Sequence, residues 1–280
     1  MKGYINTVQP ERSGLRIATS ALLLAAAAAA LILRTDEFVG MARAVVWDSG
    51  TEFFKGFAMR PGGILEYVGL FLTRTLLTPP LGIALLLAIF TTTCMLSRQA
   101  AGPDSLVAMF PAVCIMIFLT GPHFGLQGGL DSGWIFSMPL GCLAAVAVIF
   151  WFRNSRVPWL YAVIVAFVGF YLFGAYGLMA AIAIALMAFW SRLVYTSAIA
   201  LFLALAIPFA YSKIPHPAPL RGHAWMGGLP LVVCLVCLAT LVLVALCSMW
   251  KKRPAAKPVL SFAVSALLSA AMVVLAIITH

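Results

Sequence analysis

From Val157 to Trp190 the chain runs for 34 residues without one charged side chain or histidine. As a single helix that run would be roughly 51 Å long at ~1.5 Å per residue, against a bilayer hydrocarbon core of about 30 Å. Gly174 and Gly177 offer a turn inside it, so the run reads as a hairpin of two short spans. A soluble fold has no place for such a segment, and the rest of the chain is built the same way. Of 280 residues, 64% are apolar, which at roughly 20 residues per helical span suggests about nine spans. Charged residues are only 9%, against about 25% in soluble domains. These figures exclude a soluble enzyme, a disordered chain and a secreted disulfide scaffold. They also exclude a nucleic-acid binder, despite a net charge of +10. The expected fold is all-α, a polytopic helical membrane bundle of about nine spans forming one integral membrane domain over residues 1–280, with interfacial helices after span one.

Proline, glycine and arginine punctuate the apolar runs. Leu15–Leu33 is too long for a signal-peptide core of roughly 7–15 residues, so it reads as span one, its Ala25–Ala30 stripe suited to close helix packing. Residues 34–63 are the longest polar stretch. Phe38, Met41, Ala42, Val45 and Val46 recur at helical spacing, which predicts an amphipathic interfacial helix over Glu37–Trp47. Thr51 starts a second short helix to Met59, and Pro61-Gly62-Gly63 forces a turn. Ile64–Leu77 reads as a half-buried or re-entrant helix, cut by Pro79-Pro80 from span two over Leu81–Leu96. Span three is Leu106–Thr120, with Pro111 as an expected kink, and span four is Trp134–Phe152. Spans seven to nine are Val194–Tyr211, Leu229–Trp250 and Val259–Thr279.

Cations set the expected orientation. With the N-terminus inside, the inside segments carry Lys2, Arg12, Arg16, Arg98, Arg153, Arg156, Arg192 and the Lys251–Lys257 cluster, while the short outside loops carry only Lys213 and Arg221. The positive-inside rule favours that arrangement, with the C-terminus outside. Loop 34–63 is then extracytoplasmic.

The interiors of spans three to nine hold no Asp, Glu, Lys, Arg or His, which disfavours a coupled pump. No histidine lies in a span interior, so haem ligation is not expected, and neither is any other cofactor. Cys234 and Cys237 form a C-x-x-C, but inside an apolar run, where a redox thiolate has no support. His123, His216 and His223 lie in two loops without tight ligand spacing, so no metal site is expected.

Polar chemistry is concentrated in the first loop, which holds Asp36, Glu37, Asp48 and Glu52, half of the eight acids. Their plain role is to solvate the polar faces of two interfacial helices. An acid close behind span one, followed by interfacial helices, also resembles the multi-pass glycosyltransferases of GT-C type, which use lipid-phosphate sugar donors. The resemblance covers residues 15–97 and implies Asp36 and Asp48 as catalytic carboxylates, able to deprotonate an acceptor hydroxyl. Arg60, Glu66 and Arg74 are the candidate substrate-binding groups, an arginine pairing with a lipid phosphate.

The stretch Arg60–Gly82 carries a second resemblance. Pro61, Gly62, Gly63, Tyr67, Phe71, Leu72, Thr73, Pro79 and Gly82 resemble a family of multi-pass bacterial membrane proteins known only as a domain of unknown function, with Arg74 where a glutamine is expected. Members of that family continue past the last span into a soluble region, so the chain reads as a truncated or split member. The resemblance implies a bacterial inner-membrane location and leaves the activity open. The leading expectation is a complex subunit or lipid-handling scaffold whose partners are membrane lipids and other membrane subunits, not nucleic acid. The alternative is an extracytoplasmic transferase.

Overall fold

The computed structural model describes residues 10–101, 106–120, 133–213, 231–249 and 258–278, and among them every regular element is helical. The helices are α1 (Pro10–Leu33), α2 (Thr35–Ala44), α3 (Thr51–Ala58), α4 (Gly63–Thr73), α5 (Pro79–Ala101), α6 (Phe110–Thr120), α7 (Trp134–Arg153), α8 (Pro158–Ile164), α9 (Phe170–Phe173), α10 (Ala175–Trp190), α11 (Val194–Lys213), α12 (Leu231–Met249) and α13 (Pro258–Ile278). Helical 3-10 turns at Arg74–Leu77 and Leu106–Met109 lead into α5 and α6, and a π-turn at Val165–Gly169 joins α8 to α9. Pro111 sits at the second position of α6, directly after the 3-10 turn Leu106–Met109.

The nine-span expectation meets a length limit. Among the described residues three helices are long and apolar enough to cross a membrane, Pro79–Ala101, Trp134–Arg153 and Val194–Tyr211, and a fourth counts if α1 and α2, bent by 59°, form one span. Other apolar stretches, including Val107–Leu119, Pro158–Phe173 and Ala175–Trp190, are shorter. At ~1.5 Å per residue, a helix as short as Ala175–Trp190 measures about 24 Å, less than a hydrocarbon core. The predicted hairpin is present: Gly174 turns it at φ 57, a backbone conformation that costs little only for glycine.

The core runs through α10 and α7. On α10, Ala180, Ala181, Ala183, Ile184, Met187 and Ala188 are all buried, and α7 buries Ile135, Phe136, Met138, Val146 and Ile149. Around this centre stand α5, α11 and α12, while α1 lies along α13. The alanine stripe of α1 does what its composition suggests: Ala26, Ala27 and Ala30 are buried.

The bundle has two chemically different ends. At one, the ends of α5, α7 and α10 bring Arg98, Arg153, Arg156 and Arg192 together with no acid among the described residues there. Arg98 donates to Ser20 Oγ at 2.6 Å, and Arg153 donates to the Ala100 carbonyl at 3.1 Å. Trp151, Trp159, Trp190 and Tyr195 are exposed beside these arginines. At the opposite end lie α2, α3 and α4, with mixed charges. Between the ends, Phe202, Leu205 and Phe209, three large apolar side chains on one face of α11, are exposed at 68%, 64% and 66%.

Candidate functional site

The sharp turn before α4 organises the mixed-charge end. Gly62 takes φ 74, in the left-handed region that disfavours side chains. Its N–H donates to the Tyr171 carbonyl at 2.9 Å, and the Tyr171 hydroxyl donates to the Ala58 carbonyl. Two hydrogen bonds thus tie this elbow to the first leg of the α8–α10 hairpin. The hairpin stops short of the end of α7: the Tyr176 ring, two residues past the hairpin turn, lies against Gly141. Gly141 is eight residues past Gly133, roughly 12 Å along the helix. Over that stretch α4 covers α7 instead, with Gly69 against Gly133 and Ser137 and Leu70 against Gly133.

From there α4 climbs back along α7. Ile64, Leu65 and Val68 share a groove with Leu140, Leu143 and Ala144, whereas a Cβ at Gly69 would come within 2.5 Å of the Gly133 carbonyl oxygen at the start of α7. α4 thus packs along α7 from the Leu140–Ala144 level to Gly133, and Leu70 and Thr73 at its far end are buried; the stretch expected as half-buried or re-entrant is a helix laid against the bundle. The groove has a volume of about 330 Å³, an almost wholly apolar lining, and a wall from Leu172 and Phe173 of the hairpin.

At the mouth of the elbow Arg60 Nη2 and Glu66 Oε2 are 2.7 Å apart, with side chains 28% and 24% exposed. The Arg60 guanidinium also sits 4.5 Å from the Phe57 ring centroid, a cation–π contact. Its Nε has no hydrogen-bond partner among the described residues. Tyr211, at the end of α11, stacks edge-on to Phe170 at 6.1 Å and lies within electrostatic reach of both Arg60 and Tyr171. A charged pair with two tyrosines beside it thus stands one residue from Leu65 of the groove.

An aromatic cap closes the outer side. Tyr67 contacts Trp47, Phe53, Phe54 and Phe57 at centroid separations of 5.9, 6.1, 5.1 and 5.9 Å, and Trp47 also meets Phe71 at 5.2 Å. Such pairs add about 0.5–1.5 kcal/mol each beyond burial. The cap shortens the helix expected over Glu37–Trp47: α2 ends at Ala44, and Trp47 leaves the helical path to join these rings. Of its predicted apolar face, Phe38 and Ala42 are buried, but Val46 is 72% exposed.

The sequence-predicted residues divide into two groups. Arg60 and Glu66 come together. Arg74 is exposed and lies 5.8 Å from the Trp47 ring centroid rather than on the elbow. Asp36 is exposed in the first turn of α2 and forms no hydrogen bond or ion pair with a described residue. Asp48 is exposed and accepts from the Gly50 N–H at 3.0 Å, a local turn. No contact brings either aspartate to Arg60 or Glu66 among the described residues. Arg34, 3% exposed, is paired with Glu37 at the bend between α1 and α2, and Lys55 with Glu52 on the surface.

Sequence reasoning missed Tyr171, Tyr211 and the Arg34–Glu37 pair. Nothing local marks the tyrosines, which lie more than a hundred residues from the elbow. The i, i+3 spacing of Arg34 and Glu37 was the available signal for the pair. Cys237 faces Cys142 at 3.9 Å and Cys114 at 4.0 Å, all three buried, while the Cys234 side chain lies outside the described residues. The loops with His123, Gln127 and Asp131 and with His216, Arg221 and His223 lie outside the described residues, as do Lys2 and the Lys251–Lys257 cluster.

No curated protein and no solved structure matches this chain. A family model does, over residues 48–194. That range takes in α3 to α10, and with them Arg60, Glu66, Arg74 and Tyr171, while Asp36 and Tyr211 fall outside it. With more than half of its length matched, the chain belongs to the family of unknown function DUF6057.

Proposed function

We propose that this protein is a multi-pass bacterial inner-membrane protein that handles lipid at its mixed-charge end, as a scaffold or complex subunit. The observation that carries the reading is the elbow: a half-buried Arg60–Glu66 pair set beside an apolar groove of about 330 Å³. A lipid has the same two parts, a polar head and an apolar chain. Membrane immersion is supported by the exposed apolar face of α11 and by the exposed Trp151, Trp159, Trp190 and Tyr195 near the arginine end, the composition of an interfacial belt. The arginine end is the cytoplasmic one under the positive-inside rule, with the N-terminus on the same side and the elbow facing out. The shorter helices complete a nine-pass bundle by local thinning of the bilayer. The transferase reading rests on Asp36 and Asp48, which stand apart from the elbow, and no geometry here favours it over lipid handling.

Orientation is checked by labelling in a background without native cysteines. Cysteines placed at Glu52 and Asp36 should react with an impermeant maleimide from outside the cell, and one at Arg192 only after permeabilisation. The opposite pattern would invert the topology.

Lipid handling is checked by filling the groove. Native mass spectrometry of the purified protein should show retained phospholipid, reduced about tenfold by Val68→Trp with Leu143→Phe, a loss of about 1.4 kcal/mol. Unchanged retention in that double variant, folded as judged by melting temperature, would sink the reading.

A further inference from the structure

We propose that Cys237 is the shared member of an oxidisable thiol cluster: a lipid-soluble hydroperoxide joins it to Cys114 or to Cys142 in a disulfide that staples α12 to α6 or α7. The proposal goes beyond the lipid-handling reading and stands apart from the elbow.

Three helices bring the sulfurs together. Cys114 lies on α6, Cys142 on α7 and Cys237 on α12, and α12 packs against both of the others. Cys237 Sγ is 4.0 Å from Cys114 Sγ and 3.9 Å from Cys142 Sγ, and the Cys142 thiol donates to it. Cys114, Cys142 and Cys237 are 7%, 3% and 1% exposed. A disulfide holds its sulfurs at about 2.05 Å, so either pair must close by roughly 2 Å. Rotation about the Cα–Cβ bonds moves sulfurs on that scale. Cys114 and Cys142 lie inside the range matched by the family model and Cys237 outside it, so the bridge would tie α12 to the family's own helices.

Burial decides which oxidant acts and whether the product lasts. Thiol–disulfide exchange needs an attacking thiolate with access to the sulfur, and glutathione is a charged, water-borne peptide with no way into an apolar bundle. A hydroperoxide on an oxidised acyl chain is neutral and shares the hydrocarbon phase. Local opening of the packed helices admits it to the sulfurs. It transfers one oxygen to the first thiol, giving a sulfenic acid and the lipid alcohol. The neighbouring thiol then condenses with the sulfenic acid, forming the S–S bond and releasing water. The two thiols lose two electrons, which the peroxide O–O bond takes up as it breaks. Cys237 can join one neighbour at a time, so each chain gains one bridge and keeps the third thiol of the cluster.

The test exposes the full chain in nanodiscs to cumene hydroperoxide, blocks remaining thiols with N-ethylmaleimide under denaturing conditions, and maps the bridges by peptide mass spectrometry. The expected products are Cys114–Cys237 and Cys142–Cys237, with the melting temperature raised by about 5–10 °C. Cys114→Ala and Cys142→Ala should each keep the other bridge, and Cys237→Ala should lose both. Cys247 should stay alkylated, because it is buried in a separate cluster with Ala100, Ala101 and Val244. Glutathione added to intact nanodiscs should leave the bridge in place, whereas tributylphosphine, which enters hydrocarbon, should reduce it. No bridge to Cys237, a Cys234–Cys237 bridge in its place, or bridging that survives Cys237→Ala would overturn the proposal, as would reduction by glutathione as fast as by the phosphine. Should a variant fail to fold, the bridge map of the wild-type chain decides alone.

Discussion

Gly177→Val should leave little folded protein in the membrane. A Cβ at this position would lie 2.1 Å from the Gly169 carbonyl oxygen and 2.6 Å from the Phe170 nitrogen. Both obstacles are backbone, so no side-chain rotation relieves them. The two legs of the hairpin would have to separate, and α10 is the most enclosed helix of the bundle. Overpacking of a core typically costs ~1–3 kcal/mol, and this site belongs at the top of that range or above it. Fluorescence-detected gel filtration in mild detergent should show aggregated material and a lower melting temperature for whatever remains monodisperse. Near-wild-type elution and melting would mean that the legs are not in backbone contact at Gly169.

Reversing one charge of the elbow should cost far more than reversing both. Arg60→Glu sets two carboxylates side by side in a recess that is only about a quarter exposed. Exposed ion pairs contribute about 0–1 kcal/mol, and breaking a fully buried one costs about 3–5 kcal/mol. The partial exposure puts this pair between those limits, at roughly 1–3 kcal/mol. The double variant Arg60→Glu with Glu66→Arg restores an opposite-charge pair and should recover much of the loss. The measured quantity is the coupling energy from thermal or chemical denaturation of the four proteins in detergent. A coupling below about 0.5 kcal/mol, the usual error of additivity between independent sites, would show that the two side chains do not depend on each other.

The places of the helices were legible in the chain because they depend on local chemistry. An apolar run cannot expose its backbone to a bilayer, so it becomes a helix, and Pro79-Pro80, Gly174 and the arginines at 153, 156 and 192 mark where runs end. Thr51–Ala58, the turn at Pro61-Gly62-Gly63 and the break at Gly174 all stand where spacing puts them. The hairpin follows the same rule, since a run too long for one crossing must fold back.

Length and depth were not legible in the same way. A count of apolar residues suggests nine spans of ordinary length, yet the described helices include three, or four, that are long enough. Helix length is set by where the chain turns, and α10 begins at the Gly174 turn and ends at Trp190. The pairing of Arg60 with Glu66 has the same character. Six residues apart, they are not neighbours on any continuous helix; the left-handed Gly62 folds one back onto the other. Trp47 left its expected helix for a similar reason, because rings from α3 and α4 offered more burial than another helical turn. What the sequence by itself determined is which segments must be helical and which residues must be polar. Only the tertiary structure decided that the hairpin stops at the level of Gly141 and leaves the start of α7 to α4, and that Tyr171 holds the elbow through Gly62 and Ala58. That arrangement depends on packing between segments more than a hundred residues apart, which no local spacing encodes.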